Sequence, residues 1–281
     1  MIAYARTRPA TGAWNMALDE LLLEMIDAGT APFRLVLRTF EWSPGCVSFG
    51  RLQDPGRELD LRRLLEAGTD VVRRPTGGRA VWHEHEVTYS IVAARGHPFL
   101  GASLGESLDR ISAPLVEALR GLGLDAFAGR TPDTSAPRGS RGAPSSPCFA
   151  SHGRSEVMIG GRKVVGSAQA RTQRGFLEHG SVLLVNDQPG LADYLPAGSP
   201  SSMREAFRAS LERGVAGIRE HRPATTAEEV HTSLRGSFER ALAEPFRELD
   251  LNALLTPAFR DRVREKQRLA AAALSPAAGS P

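Results

Sequence analysis

The sequence predicts a globular protein that contains both α-helices and β-strands, and three observations indicate this fold class. Apolar residues recur with helical spacing over residues 14–28 and 104–122. A two-residue glycine turn, Gly160-Gly161, separates two short apolar stretches, as in a β-hairpin. The chain has 281 residues, 41% hydrophobic and 24% charged, which suits one large domain or two small ones with a substantial core.

The first helix is predicted over residues 14–28 because one side of it is apolar. Asp19, Glu20 and Glu24 fall on or near the polar side, and Gly29 ends the helix. The apolar stripe consists of Ala17, Leu18, Leu21, Leu22, Met25 and Ile26.

Strands and short helices are predicted to follow in alternation. We interpret Cys46 as a buried core thiol, because it lies between a turn glycine and a valine on a strand. In chain order we expect strands at 33–40 and 46–50, a short helix at 59–67 that Gly68 closes, a strand at 70–74, and an amphipathic helix at 104–122.

The second half begins with the predicted hairpin, in which strands 155–159 and 162–169 flank the glycine turn. Residues 129–147 precede it and are rich in Pro, Arg and Ser. We expect them to form a mobile surface loop that covers or admits substrate. A strand at 175–185, three helices at 201–211, 226–243 and 257–274, and a frayed tail complete the prediction.

Composition excludes several classes of protein. The net charge is +3 and the arginines form no basic block, so nucleic-acid binding has no support, although a diffuse basic surface suits an acidic protein partner. Two cysteines make no disulfide framework, and no Cys/His spacing indicates a metal site. Without a signal core or a membrane-spanning run, we expect a cytoplasmic protein in which thiols stay reduced.

Cys148 and Lys163 are the candidate catalytic pair. Lys163 is one of two lysines in an arginine-rich chain, which suggests that an amine is specifically needed. A nearby ammonium favours the thiolate form of a cysteine, which is the nucleophile in acyl transfer. In the alternative interpretation, Cys148 is a small buried residue and Lys163 a solvated strand lysine.

A second candidate site is the glycine connector from Pro75 to Gly78, which joins two predicted strands. Paired glycines let a ligand or another segment of backbone approach closely. Arg73 and Arg74 could hold an anionic group, and His83 and Thr88 could complete a pocket wall. A plain glycine hairpin between core strands is the alternative.

Together these motifs resemble the biotin/lipoate A/B protein ligase family. The resemblance rests on Arg73-Arg-Pro-Thr-Gly-Gly-Arg-Ala-Val-Trp-His83 and Gly161-Arg-Lys-Val-Val-Gly-Ser-Ala-Gln169, and it covers about residues 10–250 with the help of the segments at 14–20 and 42–44. Pro147-Cys-Phe-Ala-Ser151 resembles the cysteine-dependent octanoyltransferases of that family. Those enzymes move an octanoyl group from acyl carrier protein to a lysine of a lipoyl-accepting protein.

The resemblance implies an α+β fold with a mixed, mainly antiparallel central sheet flanked by helices and a tunnel for the acyl chain. Residues 1–250 would form the catalytic domain, and 251–281 a C-terminal helix and tail. No cofactor or metal is implied. The donor would be octanoyl-acyl carrier protein, the acceptor a glycine cleavage H protein or lipoyl domain, and the enzyme a monomer.

Residue roles also follow from the resemblance. Cys148 would be the acyl-thioester nucleophile, and Lys163 would activate it and interact with the carbonyl under attack. The pocket would be lined by Arg73, Gly77, Gly78 and His83, with contacts from Gly166, Ser167 and Ala168.

Two other functions remain open on the sequence alone. An ATP-dependent lipoate ligase would use Lys163 on the same fold, although Arg79 and His85-Glu86-Val87 depart from the ligase pattern. A silent module that binds lipoate or an acylated carrier would need neither Cys148 nor Lys163. His152 and His179 are candidates for a proton shuttle, with packed or exposed histidines as the simpler interpretation.

Overall fold

A computed structural model describes residues 1–129 and 156–274, and an eight-stranded sheet forms its centre. The strand order is β11-β1-β2-β6-β10-β9-β8-β7. These strands are β1 (Ile2–Arg6), β2 (Leu35–Phe40), β6 (Glu86–Ala94), β7 (Ala126–Gly129), β8 (Glu156–Ile159), β9 (Arg162–Arg171), β10 (Gly175–Leu183) and β11 (Arg247–Glu248).

Most neighbouring strands of the large sheet are antiparallel. Only the β11–β1 and β1–β2 pairs are parallel, whereas the pairs from β2 through β6, β10, β9 and β8 to β7 are antiparallel. The predicted mixed, mainly antiparallel sheet is therefore confirmed. Gly160 and Gly161 have φ values of +56° and +76°, which explains why glycine occupies both turn positions of the β8–β9 hairpin.

A three-stranded sheet with the order β4-β3-β5 accompanies the large sheet. Strand β3 (Cys46–Phe49) pairs parallel with β4 (Asp70–Arg73) and antiparallel with β5 (Val81–His83). Short helices α2 (Pro55–Glu58) and α3 (Leu61–Glu66) connect β3 to β4. The small sheet thus carries both ends of the predicted glycine connector.

Helices cover the two faces of the large sheet. Helix α1 (Gly12–Ala28) packs on β6 and β10, while α4 (Leu104–Gly121) and α6 (Ala227–Leu242) pack together over the main hydrophobic core. The sequence offers Thr225 or Thr226 as the N-cap of this helix, and the structure shows that Thr226 caps α6 in a capping box with Glu229. The other helices are α5 (Ser201–Gly214), α7 (Pro257–Lys266) and α8 (Arg268–Leu274).

The structure corrects two predictions about the helices. The helix expected at 257–274 is divided at Gln267 into α7 and α8. Asp19 was placed on or near the polar side of α1 but is fully buried, because α1 lies between the large sheet and β4. Its carboxylate forms an ion pair with the buried Arg38. In this packing α1 buries more than one stripe.

The C-terminal helices pack against the N-terminal one. Phe259 of α7 is buried and contacts Trp14 edge-on, with ring centroids 5.8 Å apart. The division of the chain at residue 250 stays a prediction. Within residues 1–129 and 156–274, no helix is both long and apolar enough to cross a membrane. The predicted loop at 129–147 falls, apart from its first residue, outside the described residues.

Candidate active site

A cavity lies where the two sheets meet, and residues from both line it. Strands β9 and β10 form one wall with small side chains. A Cβ atom on Gly180 would lie 2.7 Å from the Gly166 carbonyl oxygen and 2.7 Å from Cε1 of Tyr89, so this position needs glycine. Larger side chains complete the lining, among them Met16, Trp42, Ser48, Arg74, His83 and His179.

His83 belongs to a buried chain of three side chains. Its Nε2 lies 2.7 Å from the Ser48 hydroxyl, and its Nδ1 lies 2.9 Å from Oε1 of Glu86. All three residues are buried. Because a carboxylate only accepts hydrogen bonds, Nδ1 of the neutral ring donates to Glu86, and Nε2 accepts from Ser48. This arrangement has the order of a hydroxyl–imidazole–carboxylate triad.

Neighbouring groups hold this chain in place. Trp42 stacks on the His83 ring at a centroid distance of 4.1 Å and an angle of 15°. Oε1 of Glu86 also accepts hydrogen bonds from Thr88 and Ser181, at 2.5 and 2.8 Å. The imidazole therefore has a fixed plane and a fixed carboxylate partner, which is the condition for directed proton transfer.

His179 forms a second chain of the same chemical kind. Its Nε2 lies 2.7 Å from the Thr76 hydroxyl, and its Nδ1 lies 3.2 Å from Oδ2 of Asp19. Arg38 donates to Asp19 over 2.7 Å, and Ser90 donates over 2.9 Å. Two buried imidazoles, each with a hydroxyl on one nitrogen and a carboxylate on the other, thus border one cavity.

Burial and charge set the protonation of the second chain. Burial raises the pKa of Asp19, but the Arg38 charge and the His179 hydrogen bond outweigh it and hold this pKa below its usual range. Burial lowers the pKa of His179, in spite of its Asp19 partner. A neutral His179 donates from Nδ1 to Asp19, and its Nε2 accepts the Thr76 hydroxyl hydrogen.

Arg74, rather than Arg73, lines the cavity. Its five N–H groups all find acceptors, which are the Gly77 and Arg79 carbonyl oxygens and the carbonyl and hydroxyl oxygens of Ser48. The expectation that Arg74 could hold an anionic substrate group is therefore replaced by a role in tying the glycine connector to β3.

Arg73 lies at the end of β4 and serves a different loop. Its Nη1 donates to the carbonyl oxygens of Gly50, Arg51 and Gln53, at 3.3, 3.1 and 2.6 Å. Neither Arg73 nor Gly77 and Gly78 is among the residues that line the cavity. Gly78 has φ +92°. Its carbonyl oxygen would lie only 2.0 Å from a Cβ atom on Gly50. These glycines provide close backbone packing beside the cavity.

Lys163 is buried on β9, and its amine lies 2.8 Å from Oε1 of Glu156. It is therefore not a solvated strand lysine. The cavity lining includes Gly166, Ser167 and Ala168 three to five residues further along the same strand, but not Lys163. Cys148 and His152 lie outside the described residues, so the predicted approach of Cys148 to Lys163 stays a prediction.

Cys46 is buried, as predicted, and packs with Met16, Phe40, Trp42 and Val72. Burial, followed by the nearby charges of Asp70 and Glu86, raises the pKa of its thiol well above the usual value. A thiol of this kind is a poor nucleophile. Of the two cysteines, Cys46 is thus unsuited to acyl transfer.

Another buried acid lies on the opposite face of β10. The Tyr89 hydroxyl lies 2.8 Å from the Ser167 hydroxyl and donates to Glu178 over 2.9 Å. Burial raises the pKa of Glu178 to about 8, against the hydrogen bonds from Tyr89 and Gln169 and the Arg171 charge. This carboxyl is therefore protonated at neutral pH.

Only one group among the described residues has a spacing that suits a metal ion, namely Glu84, His85 and Asp187, with ligand atoms within 4.8 Å of one another. Glu84 and His85 are exposed, and His85 already hydrogen-bonds Asp187 through Nδ1 at 3.1 Å. A surface hydrogen bond explains this cluster.

Of the residues predicted to line the pocket, His83, Gly166, Ser167 and Ala168 line the cavity, and their roles stay predictions. Ser48, Glu86 and Glu156 were not among the predicted site residues. The signal for these was present in the sequence. Each is a polar residue within or at the start of an apolar strand, as in Cys46-Val-Ser-Phe49 and Glu86-Val87. A polar side chain in such a position is buried and therefore needs a partner.

The sequence matches a known family of catalytic domains. A family model for the lipoyl protein ligase A/B catalytic domain matches residues 11–239. The chain therefore belongs to this family, as its motifs suggested.

Two relatives with assigned names are similar to most of the chain. The chain is 38% identical over 237 residues to a protein of Kyrpidia tusciae named Octanoyltransferase LipM, which covers 84% of this chain and 85% of the relative. It is 35% identical over 235 residues to the Bacillus subtilis protein of the same name, covering 83% of each.

Solved structures show the same fold at lower identity. A lipoate-protein ligase A bound with ATP has a TM-score of 0.68 and 24% identity, covering 94% of this chain and 92% of that one. A bipartite lipoate protein ligase from Thermoplasma acidophilum has a TM-score of 0.71 and 23% identity, covering 94% and 90%. The α+β fold of lipoyl ligases is thus confirmed.

Proposed function

We propose that this protein is an octanoyltransferase of lipoate biosynthesis that works through an acyl-thioester on Cys148. The observation that carries the octanoyltransferase activity is the 38% identity over 84% of the chain to a protein named for it. The buried thiol of Cys46 supports Cys148 as the nucleophile, because no other cysteine exists in the chain.

Two steps account for the transfer. The Cys148 thiolate attacks the carbonyl carbon of octanoyl-acyl carrier protein, the carbon–sulfur bond to the carrier breaks, and the carrier leaves as a thiolate that takes up a proton from solvent. The lysine amine of the acceptor then attacks the acyl-enzyme, so that an amide forms and the Cys148 sulfur is released. A thioester exchanged for a thioester needs no ATP.

Lys163 supports this scheme because it is a buried amine near the start of β9, the strand that contributes to one wall of the cavity. We propose that it raises the reactivity of Cys148. We propose a glycine cleavage H protein or a lipoyl domain as acceptor, a monomeric enzyme, and a cytoplasmic location.

ATP-dependent ligation is the competing function on this fold. The ligases among the solved structures are less than 25% identical to this chain, whereas the octanoyltransferases reach 35–38%. Similarity at the lower level indicates the fold only. The named relatives therefore favour transfer from a carrier.

Intact-mass spectrometry tests the proposal. Mixing the protein with octanoyl-acyl carrier protein in the absence of ATP should add one octanoyl group, and neutral hydroxylamine should remove it as expected for a thioester. Cys148→Ala should lose the adduct, and the matched variant Cys46→Ala should keep it. Acylated acceptor protein that forms only in the presence of ATP would instead support the ligase. If neither the adduct nor the acylated acceptor forms, the result would support a binding module.

Lys163→Arg tests the need for an amine. A planar guanidinium cannot reproduce a compact ammonium, so we expect acyl-enzyme formation to slow on the order of 100-fold. Urea unfolding of the same variant checks that the larger side chain leaves the fold intact. Near-normal turnover by a folded Lys163→Arg protein contradicts this role.

A further inference from the structure

Transfer to a lysine requires a group that accepts a proton. A free lysine amine has a pKa near 10.4, and the amine nitrogen must lose a further proton as it forms the amide. The Lys163 amine is already a donor to Glu156. The proton acceptor must therefore be sought among the side chains that line the cavity.

We propose that Ser48 and His83 relay the proton of the acceptor amine during the second step, and that Glu86 is the residue that positions His83. This inference rests on the proposed acyl transfer. The acceptor lysine reacts as the neutral amine, after its ammonium group has lost one proton to solvent. As the amine nitrogen attacks the acyl carbon, its next proton passes to the Ser48 oxygen, and the Ser48 hydroxyl proton passes to Nε2 of His83. The nitrogen–carbon bond forms, and the carbon–sulfur bond breaks with its electron pair on sulfur. The imidazolium then returns its proton to the thiolate.

The hydrogen bonds of Ser48 leave room for this role. A hydroxyl has one hydrogen to donate and two lone pairs to accept with. The hydrogen goes to Nε2 of His83 over 2.7 Å, and one lone pair accepts from Arg74 over 3.0 Å. No group among the described residues donates to the second lone pair, and Ser48 is one of the residues that line the cavity.

Glu86 fixes the form of His83 that the relay needs. It accepts from Nδ1, which leaves Nε2 as the basic nitrogen. Its oxygen Oε2 is buried and has no hydrogen-bond partner among the described residues. The carboxylate can therefore balance a positive charge that develops on the imidazole.

The surroundings of His83 contain few other charges. The titratable or charged groups that face it are Glu86 on β6, Arg74 through Ser48, Cys46 as its register partner on β3, and His179, which lines the same cavity. Trp42 covers one face of the ring.

Glu86→Gln is the decisive variant. The glutamine amide can donate to Nδ1, which would place the ring hydrogen on Nε2 and block acceptance from Ser48. We expect the single-turnover transfer of octanoyl from the enzyme to the acceptor to slow about 100-fold. Loading of Cys148 from octanoyl-acyl carrier protein should stay within about twofold of the wild type.

Rescue by a carboxylate separates this role from a structural one. Glu86→Asp keeps the carboxylate and should restore part of the rate. Ser48→Ala should slow transfer without slowing loading. Glu84→Gln, which changes an exposed acid two residues away, serves as the matched control and should match the wild type.

Equal transfer rates for Glu86→Gln and the wild type would overturn the relay, as would an equal loss of loading and transfer. The test also separates this inference from the proposed function. If the wild type forms no octanoyl adduct, the acyl-enzyme itself is wrong, and the relay fails with it.

Discussion

The two hydroxyl–imidazole–carboxylate chains beside the cavity have the same chemical groups but different surroundings. In the first, Glu86 is hydrogen-bonded by His83 and by the hydroxyls of Thr88 and Ser181. In the second, Asp19 forms an ion pair with Arg38, in which both side chains are fully buried. Within the described residues, Glu86 has no arginine or lysine ion-pair partner.

The hydroxyl groups at the other end differ as well. Ser48 lines the cavity, whereas Thr76 belongs to the glycine connector and is not among the lining residues. An Asp19 charge that Arg38 already balances is suited to hold His179 and, through it, the connector. A Glu86 charge without such a cation is suited to stabilise an imidazolium. The partner of the carboxylate therefore distinguishes the hydrogen-bonded chain to which we assign a structural role from the one that we propose relays a proton.

The largest effect on stability is expected from Asp19→Ala. It would leave the Arg38 guanidinium buried without its carboxylate, and breaking a buried pair costs about 3–5 kcal/mol. Urea unfolding measures this loss of unfolding free energy. Glu24→Ala removes an exposed acid from the same helix and should cost less than about 1 kcal/mol. A loss for Asp19→Ala no larger than for Glu24→Ala would contradict the structural role of the second chain.

Glu178 is a third buried acid that can be compared with Asp19 and Glu86. Among the described ion pairs, no arginine or lysine pairs with it. With its pKa raised to about 8 from 4.5, the folded protein keeps this proton at pH values where the unfolded chain has lost it. The unfolding free energy should therefore fall as pH rises from about 5 to 8, by up to about 1.4 kcal/mol per pH unit and on the order of 3 kcal/mol in all.

Glu178→Gln isolates this contribution. The amide has no proton to lose, so the variant should gain stability relative to the wild type as pH increases, and the two should differ least near pH 5. Unfolding midpoints in urea at four or five pH values between 5 and 8 measure the difference. A constant difference across this range would show that Glu178 is ionised in the folded protein.

Much of the fold was predictable because local patterns agree with it. Apolar periodicity located α1 and α4, the paired glycines located the β8–β9 turn, and Thr226 with Glu229 located the start of α6. These signals act within a few residues of one another, where the chain geometry is fixed by the secondary structure itself.

The carboxylates of the site were not predictable in the same way. Asp19 lies 160 residues before His179, with which it hydrogen-bonds, and its position on α1 matches a solvent-facing residue. Arg73 and Arg74 are adjacent on the chain, yet only Arg74 lines the cavity, because successive side chains at the end of a strand point to opposite sides. Partners across the sheet depend on the tertiary fold, which periodicity does not contain.

Thr76→Val gives the smallest expected effect and tests the tie between His179 and the glycine connector. Valine has a similar shape but leaves the buried Nε2 of His179 without a donor, a loss of about 1–2 kcal/mol in unfolding free energy. Thr76→Ser keeps the hydroxyl and should recover most of it. Hydrogen exchange of the Arg51 amide, which donates to the Thr76 carbonyl at 2.9 Å, reports on the connector. Faster exchange in Thr76→Val but not in Thr76→Ser would show that the hydrogen bonds from Thr76 through His179 to Asp19 restrain this loop. Unchanged exchange in both variants would assign the restraint to Arg74 instead.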